Sequence, residues 1–140
     1  MLFRSLDGRK MSKSHGNTIP LFAPPEEQAR FIRRIVTDSR RPQDPKDPDT
    51  CTLVALLDAF ADPAVAREVR ARYRTGGIGY GEVKGLLADE LRTTLAPLRD
   101  RYEALLADAA RLDAALEAGE RHANQRAAET LRPMSAAMGL

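Results

Sequence analysis

Cysteine is almost absent from this 140-residue chain, tryptophan is missing, and histidine occurs only at His15 and His122. The single thiol, Cys51, excludes an intramolecular disulfide framework and a CxxC metal site. The two histidines stand too far apart in sequence to propose zinc from them, so no metal site is expected. No apolar run approaches the roughly 18–20 residues that span a bilayer, and the N-terminus lacks a signal-peptide pattern. The cytoplasm is therefore the expected compartment, with no membrane partner. Aromatics make up only 5% of the residues against 43% hydrophobic. With abundant Ala, Leu, Arg and Glu, that balance favours a soluble helical protein, and the length favours one core.

A net charge of +2 hides an uneven distribution. Residues 1–46 carry ten Lys or Arg against five Asp or Glu, hence +5, while residues 47–140 carry twelve against fifteen, hence −3. A basic N-terminal third is an electrostatic footprint for phosphates.

That third contains Asp7-Gly8-Arg9-Lys10-Met11-Ser12-Lys13-Ser14-His15-Gly16-Asn17. Its one apolar side chain is Met11, so it reads as a loop with the chemistry of a phosphate cradle. Lys10 and Lys13, three apart, reach one polyanion in a turn-like conformation. Ser12, Ser14 and backbone N–H groups would donate the remaining hydrogen bonds. Lysine suits this task as a mobile point charge where negative charge develops.

Lys10-Met11-Ser12-Lys13-Ser14 resembles the KMSKS signature of class I aminoacyl-tRNA synthetases, and its flanks Asp7-Gly8-Arg9 and Gly16-Asn17 extend the likeness. The resemblance implies a loop that closes over the triphosphate of ATP, with Mg2+ as the companion cofactor. Lys10 and Lys13 would stabilise the pyrophosphate leaving group, and Met11, Ser12 and Ser14 would complete the nucleotide contact. Three further stretches, Ile35–Ser39, Gly77–Lys84 and Ala96–Glu103, are similar in order and spacing to the C-terminal part of the bacterial tryptophanyl branch. By the same resemblance the partners are L-tryptophan, tRNA-Trp, a Rossmann-type N-terminal catalytic half and a second copy in a homodimer. No HIGH-like or TIGN-like motif occurs, so the chain resembles a C-terminal portion and is expected to be inactive by itself. A reading from another class is a non-catalytic truncated paralogue that binds tRNA or a protein.

Taken in order, residues 1–20 read as a residual catalytic segment with the signature loop, Met1–Leu6 being strand-like. Residues 21–140 read as a helical tRNA-binding domain. Pro24-Pro25-Glu26-Glu27 starts a helix in which Ala29, Ile32 and Val36 share a stripe, with Phe31 and Ile35 beside it. Arg30, Arg33 and Arg34 leave its other side and are, with Lys84 further on, the candidate tRNA contacts; each also reads as a plain solvent-facing charge. The prolines at 42, 45 and 48 predict an extended linker over 40–49. Leu53, Leu56, Leu57 and Phe60 then predict a helix, with Cys51 a small boundary residue. Asp62-Pro63 is a cap and first-turn pair for the next helix. From Tyr80 a long helix reaches about Asp108, bent or broken at Pro97. Gly119 should divide an alanine-rich helix from a last one near Glu120, interrupted at Pro133. The expected fold is all-α: about five or six helices preceded by the loop.

Overall fold

The computed structural model describes Asp7 and residues 9–139. The strand expected at Met1–Leu6 lies outside the described residues. Among the described residues a short 3-10 turn, Lys13–His15, precedes five α-helices: α1 Pro25–Arg33, α2 Thr52–Phe60, α3 Pro63–Thr75, α4 Tyr80–Ala107 and α5 Ala109–Met138. Among the described residues no helix is long and apolar enough to cross a membrane. The chain forms two compact units, the first ending at Arg99 and the second running from Asp100. The division falls inside α4.

The first unit holds the core. α2 and α3 are joined by Ala61 and Asp62, and the start of α3 is set by its cap and first residue: the Asp62 carboxylate accepts the Ala64 amide at 2.7 Å, and Pro63 occupies the first helical position. α2 buries Leu53, Val54, Leu56 and Leu57; α3 buries Ala66, Val69 and Tyr73; α4 adds Val83, Leu87, Leu91 and Leu95. Each large apolar side chain so enclosed stabilises the unit by about 1.5–3 kcal/mol. At the surface Arg70 of α3 grips both carboxylate oxygens of Asp58 on α2, at 3.2 and 2.5 Å, and reaches Asp49 at 2.6 Å. These bonds raise the Arg70 pKa further above its ordinary value.

α1 is shorter than its apolar pattern predicts. It ends at Arg33, and the next turn closes through tighter bonds, from the Arg34 amide to Phe31 and from Ile35 to Ile32. Ile35 still enters the core, but Val36, counted on the helical stripe, is 70% exposed. The β-branched run Ile35-Val36-Thr37 favours extended backbone at this point. Buried Gln28 then ties α1 to its surroundings. Its amide nitrogen donates to the Pro20 and Leu21 carbonyls at 2.8 and 2.7 Å, and its oxygen accepts from Arg99 of α4 at 3.0 Å.

The proline tract is not a linker. It folds around Lys46, which is 4% exposed and donates through Nζ to the carbonyls of Arg41, Pro42 and Asp44 at 2.8, 3.3 and 2.9 Å. The same ammonium lies 6.0 Å from the ring centre of Tyr73 and 5.4 Å from that of Tyr80. Three carbonyl acceptors and two ring faces replace the water that a buried cation loses. Backbone bonds from Lys46 to Tyr73 and from Gly77 to Pro42, at 2.6 and 2.8 Å, join the tract to the end of α3.

The second unit consists of the end of α4 and α5. Asp108 separates them and caps α5 by accepting the Arg111 amide at 3.0 Å. α4 continues through Pro97, and α5 continues through both Gly119 and Pro133, so none of the three expected interruptions ends a helix. α5 has no buried residue.

Candidate polyphosphate-binding loop

The signature loop is closed by a side chain that sequence reading left without a role. Asn17 is 4% exposed; its Oδ1 accepts the Ser12 amide at 2.8 Å, and its Nδ2 donates to Asp7 Oδ1 at 3.1 Å and to the Lys10 carbonyl at 3.4 Å. One carboxamide thus fastens both ends of the loop. Arg9 also pairs with Asp7 at 2.6 Å, but that pair is exposed and worth at most about 1 kcal/mol. Part-buried hydrogen bonds contribute about 1 kcal/mol each and lose more when one partner is removed, so Asn17 is a stronger fastener than the Arg9–Asp7 pair.

Within this frame the 3-10 turn uses the His15 and Gly16 amides, which donate to the Ser12 and Lys13 carbonyls at 3.1 Å each. The Ser12 amide is engaged by Asn17. Three backbone donors that the sequence offers to a ligand therefore bond inside the loop. The outward chemistry is carried by side chains. Ser12 and Ser14 join hydroxyl to hydroxyl at 2.8 Å. Lys10 and Lys13 are exposed, and among the described residues neither ammonium forms an ion pair. Met11 turns the other way, half-buried against the core cluster, and anchors the loop.

The candidate RNA contacts separate into two groups. Arg30, Arg33 and Arg34 are exposed at the end of α1. Arg30 and Arg34 flank Phe31 with Glu27 in a surface groove of about 270 Å³, and the Arg34 guanidinium carbon lies 5.9 Å from the Phe31 ring centre. Arg34 also borders the signature loop: with Val36, Asp7, His15, Gly16 and Asn17 it lines a cavity of about 210 Å³. Lys84 is different. Its Nζ donates to the carbonyls of Arg33 and Ile35 at 2.9 and 2.7 Å, and burial pushes its pKa below the ordinary lysine value. Two of its three N–H bonds are thereby occupied.

A second polar cavity, about 250 Å³, is lined by Asp38, Arg40, Asp47, Thr50 and Cys51 among others, with Tyr80 on one side. Cys51 is half-buried there, its sulfur 3.6 Å from the Tyr73 hydroxyl. Desolvation raises the Tyr73 pKa further above its ordinary value. Proline spacing gave no sign of Lys46; a lone lysine among prolines next to a tyrosine-bearing helix is a weak signal that only the fold interprets.

The family model for class I tRNA synthetases of the W and Y group matches residues 1–96, and the chain belongs to that family. The relatives point to its tryptophan branch. The chain is 47% identical over 114 residues to the tryptophan–tRNA ligase of Xanthomonas axonopodis pv. citri, covering 81% of this chain and 26% of that protein. It is 37% identical over 139 residues to the tryptophan–tRNA ligase of Neisseria meningitidis, covering 99% of this chain and 41% of that one. The crystal structure of tryptophanyl-tRNA synthetase from Campylobacter jejuni complexed with ADP and tryptophan superposes with a TM-score of 0.88 at 33% identity, over 100% of this chain and 44% of the other. The chain therefore spans between a quarter and a half of the length of these relatives.

Proposed function

We propose that the Lys10–Ser14 loop binds the triphosphate of ATP and that this chain serves tryptophan–tRNA ligation together with a Rossmann-type catalytic half. The observation that carries this reading is the pair of ammonium groups, Lys10 and Lys13, without an ion pair among the described residues, on a loop that Asn17 holds closed. Flexible point charges follow phosphate oxygens as pyrophosphate departs and negative charge grows on the leaving group. Arg9 is less suited, since Asp7 already neutralises it. The donor set fits a polyphosphate. Among the described residues no group of three or more His, Cys, Asp or Glu could hold a metal ion, so Mg2+ would be bound through the nucleotide's own phosphates.

Arg30, Arg33 and Arg34 form the face that would meet tRNA-Trp phosphates, with Phe31 offering a ring beside them. Lys84 is left out of that face because its ammonium already serves two carbonyls. Tryptophan-dependent ATP–pyrophosphate exchange tests the proposal, run on the chain alone and with the N-terminal half of a related ligase added. Exchange that appears on complementation and collapses in a Lys10→Ala/Lys13→Ala variant is the expected result. Undiminished exchange in the double variant refutes the role of the loop.

A further inference from the structure

We infer that Lys84 is a positioning residue for the signature loop, acting from α4 through the segment that follows α1. This rests on the reading of Lys10–Ser14 as a polyphosphate loop. The last carbonyls of a helix have no partner within it. Lys84 supplies one to Arg33, at the end of α1, and to Ile35 just beyond, at 2.9 and 2.7 Å, so it fixes the backbone on both sides of Arg34. A cation at a helix C-terminus is favoured by the helix dipole as well. One turn earlier on α4, Tyr80 donates to Asp38 at 2.6 Å, giving the same segment a second point of attachment.

Between these two attachments the segment has a buried side and an open one. Ile35 is 2% exposed, whereas Arg34 is exposed and Val36 is 70% exposed. Arg34 and Val36 form one wall of the cavity whose other wall is Asp7, His15, Gly16 and Asn17. Asn17 is the residue that closes the loop, so the surface behind that fastener is set by backbone that Lys84 holds. A ligand that pulls on Lys10 and Lys13 therefore works against a loop backed by α4. Desolvation of Lys84, seen in its lowered pKa, agrees with an ammonium turned inward to these carbonyls and away from a ligand.

The test uses the full 140-residue chain as Lys84→Met and Lys84→Arg, with inorganic tripolyphosphate as the probe. Backbone amide resonances are recorded without ligand, then the probe is titrated. Lys84→Met should displace the Arg34–Val36 resonances and also those of Ser12, Gly16 and the Asn17 carboxamide. It should weaken tripolyphosphate about three- to tenfold, as expected for loss of one supporting hydrogen-bonded group. Lys84→Arg, still able to donate, should restore most of both. Changes confined to residues 33–38, with wild-type affinity, would overturn the inference. If Lys84→Met fails to fold, Lys84→Gln decides by the same resonances. Absence of tripolyphosphate binding by the wild-type chain refutes the loop reading alone, since the ligand-free resonances still answer for Lys84.

Discussion

Tyr80 donates its hydroxyl to Asp38 at 2.6 Å, joining residues 42 apart in sequence. This bond is the first cause of a depressed Asp38 pKa; the Arg40 amide is the second. A carboxyl with a folded value below its unfolded one adds stability above the unfolded value, and that stability is lost as pH falls through the folded value. The relevant window therefore opens near the ordinary 3.8 and extends downward. Tyr80→Phe should raise the Asp38 pKa toward 3.8, read by carboxyl-carbon NMR titration. An unmoved titration would show that the Tyr80 bond does not set it.

Asn17→Ala removes the acceptor of the Ser12 amide and the donor to Asp7 and Lys10 together. The expected loss is about 1–3 kcal/mol in urea unfolding. Tripolyphosphate binding should weaken although both lysines remain.

Lys46→Met leaves the Arg41, Pro42 and Asp44 carbonyls without their shared donor in a buried site. The penalty should be about 2–3 kcal/mol by denaturant unfolding. Limited proteolysis should then cut within residues 41–50 faster than it does in the wild-type chain. Resistance equal to wild type would mean that proline stiffness holds the tract.

Gly76→Ala and Gly77→Ala separate steric clash from backbone conformation. Both glycines have positive φ, +84° and +93°. At Gly77 a methyl group meets open space, so only the left-handed cost of about 1–2 kcal/mol applies. At Gly76 it would fall 2.3 Å from the Gln43 carbonyl oxygen, so the close approach of the tract to α3 must open. Gly76→Ala should be the more destabilising by thermal unfolding, and equal losses would contradict the clash.

Much of the fold can be read from local chemistry. Asp62-Pro63 announces α3 because a carboxylate acceptor and a fixed φ are needed at that place, and the Tyr80–Ala107 helix matches its leucine period to within a residue of the expected end. The failures are tertiary. Val36 fits a helical stripe, but bonds from α4 to residues 33 and 35 hold that backbone where α1 has already ended. Prolines at 42, 45 and 48 read as a spacer because a buried lysine's partners are carbonyls, which every sequence has. Of the loop, the outward lysines are legible from composition; the Asn17 fastener is not, since a lone asparagine after glycine usually marks only a turn.

α5 runs for 30 residues without a buried side chain. Its helical state then rests on alanine-rich propensity, the Asp108 cap and surface pairs such as Arg126 with Glu129 at 3.3 Å, each worth only tenths of a kcal/mol. A helix sustained in this way follows helix–coil behaviour, where order is lost by degrees, while the packed first unit melts as a whole. Circular dichroism at the helical band should therefore slope downward over tens of degrees before one sharp step. Heat capacity should register the step alone, because α5 releases little apolar surface when it uncoils.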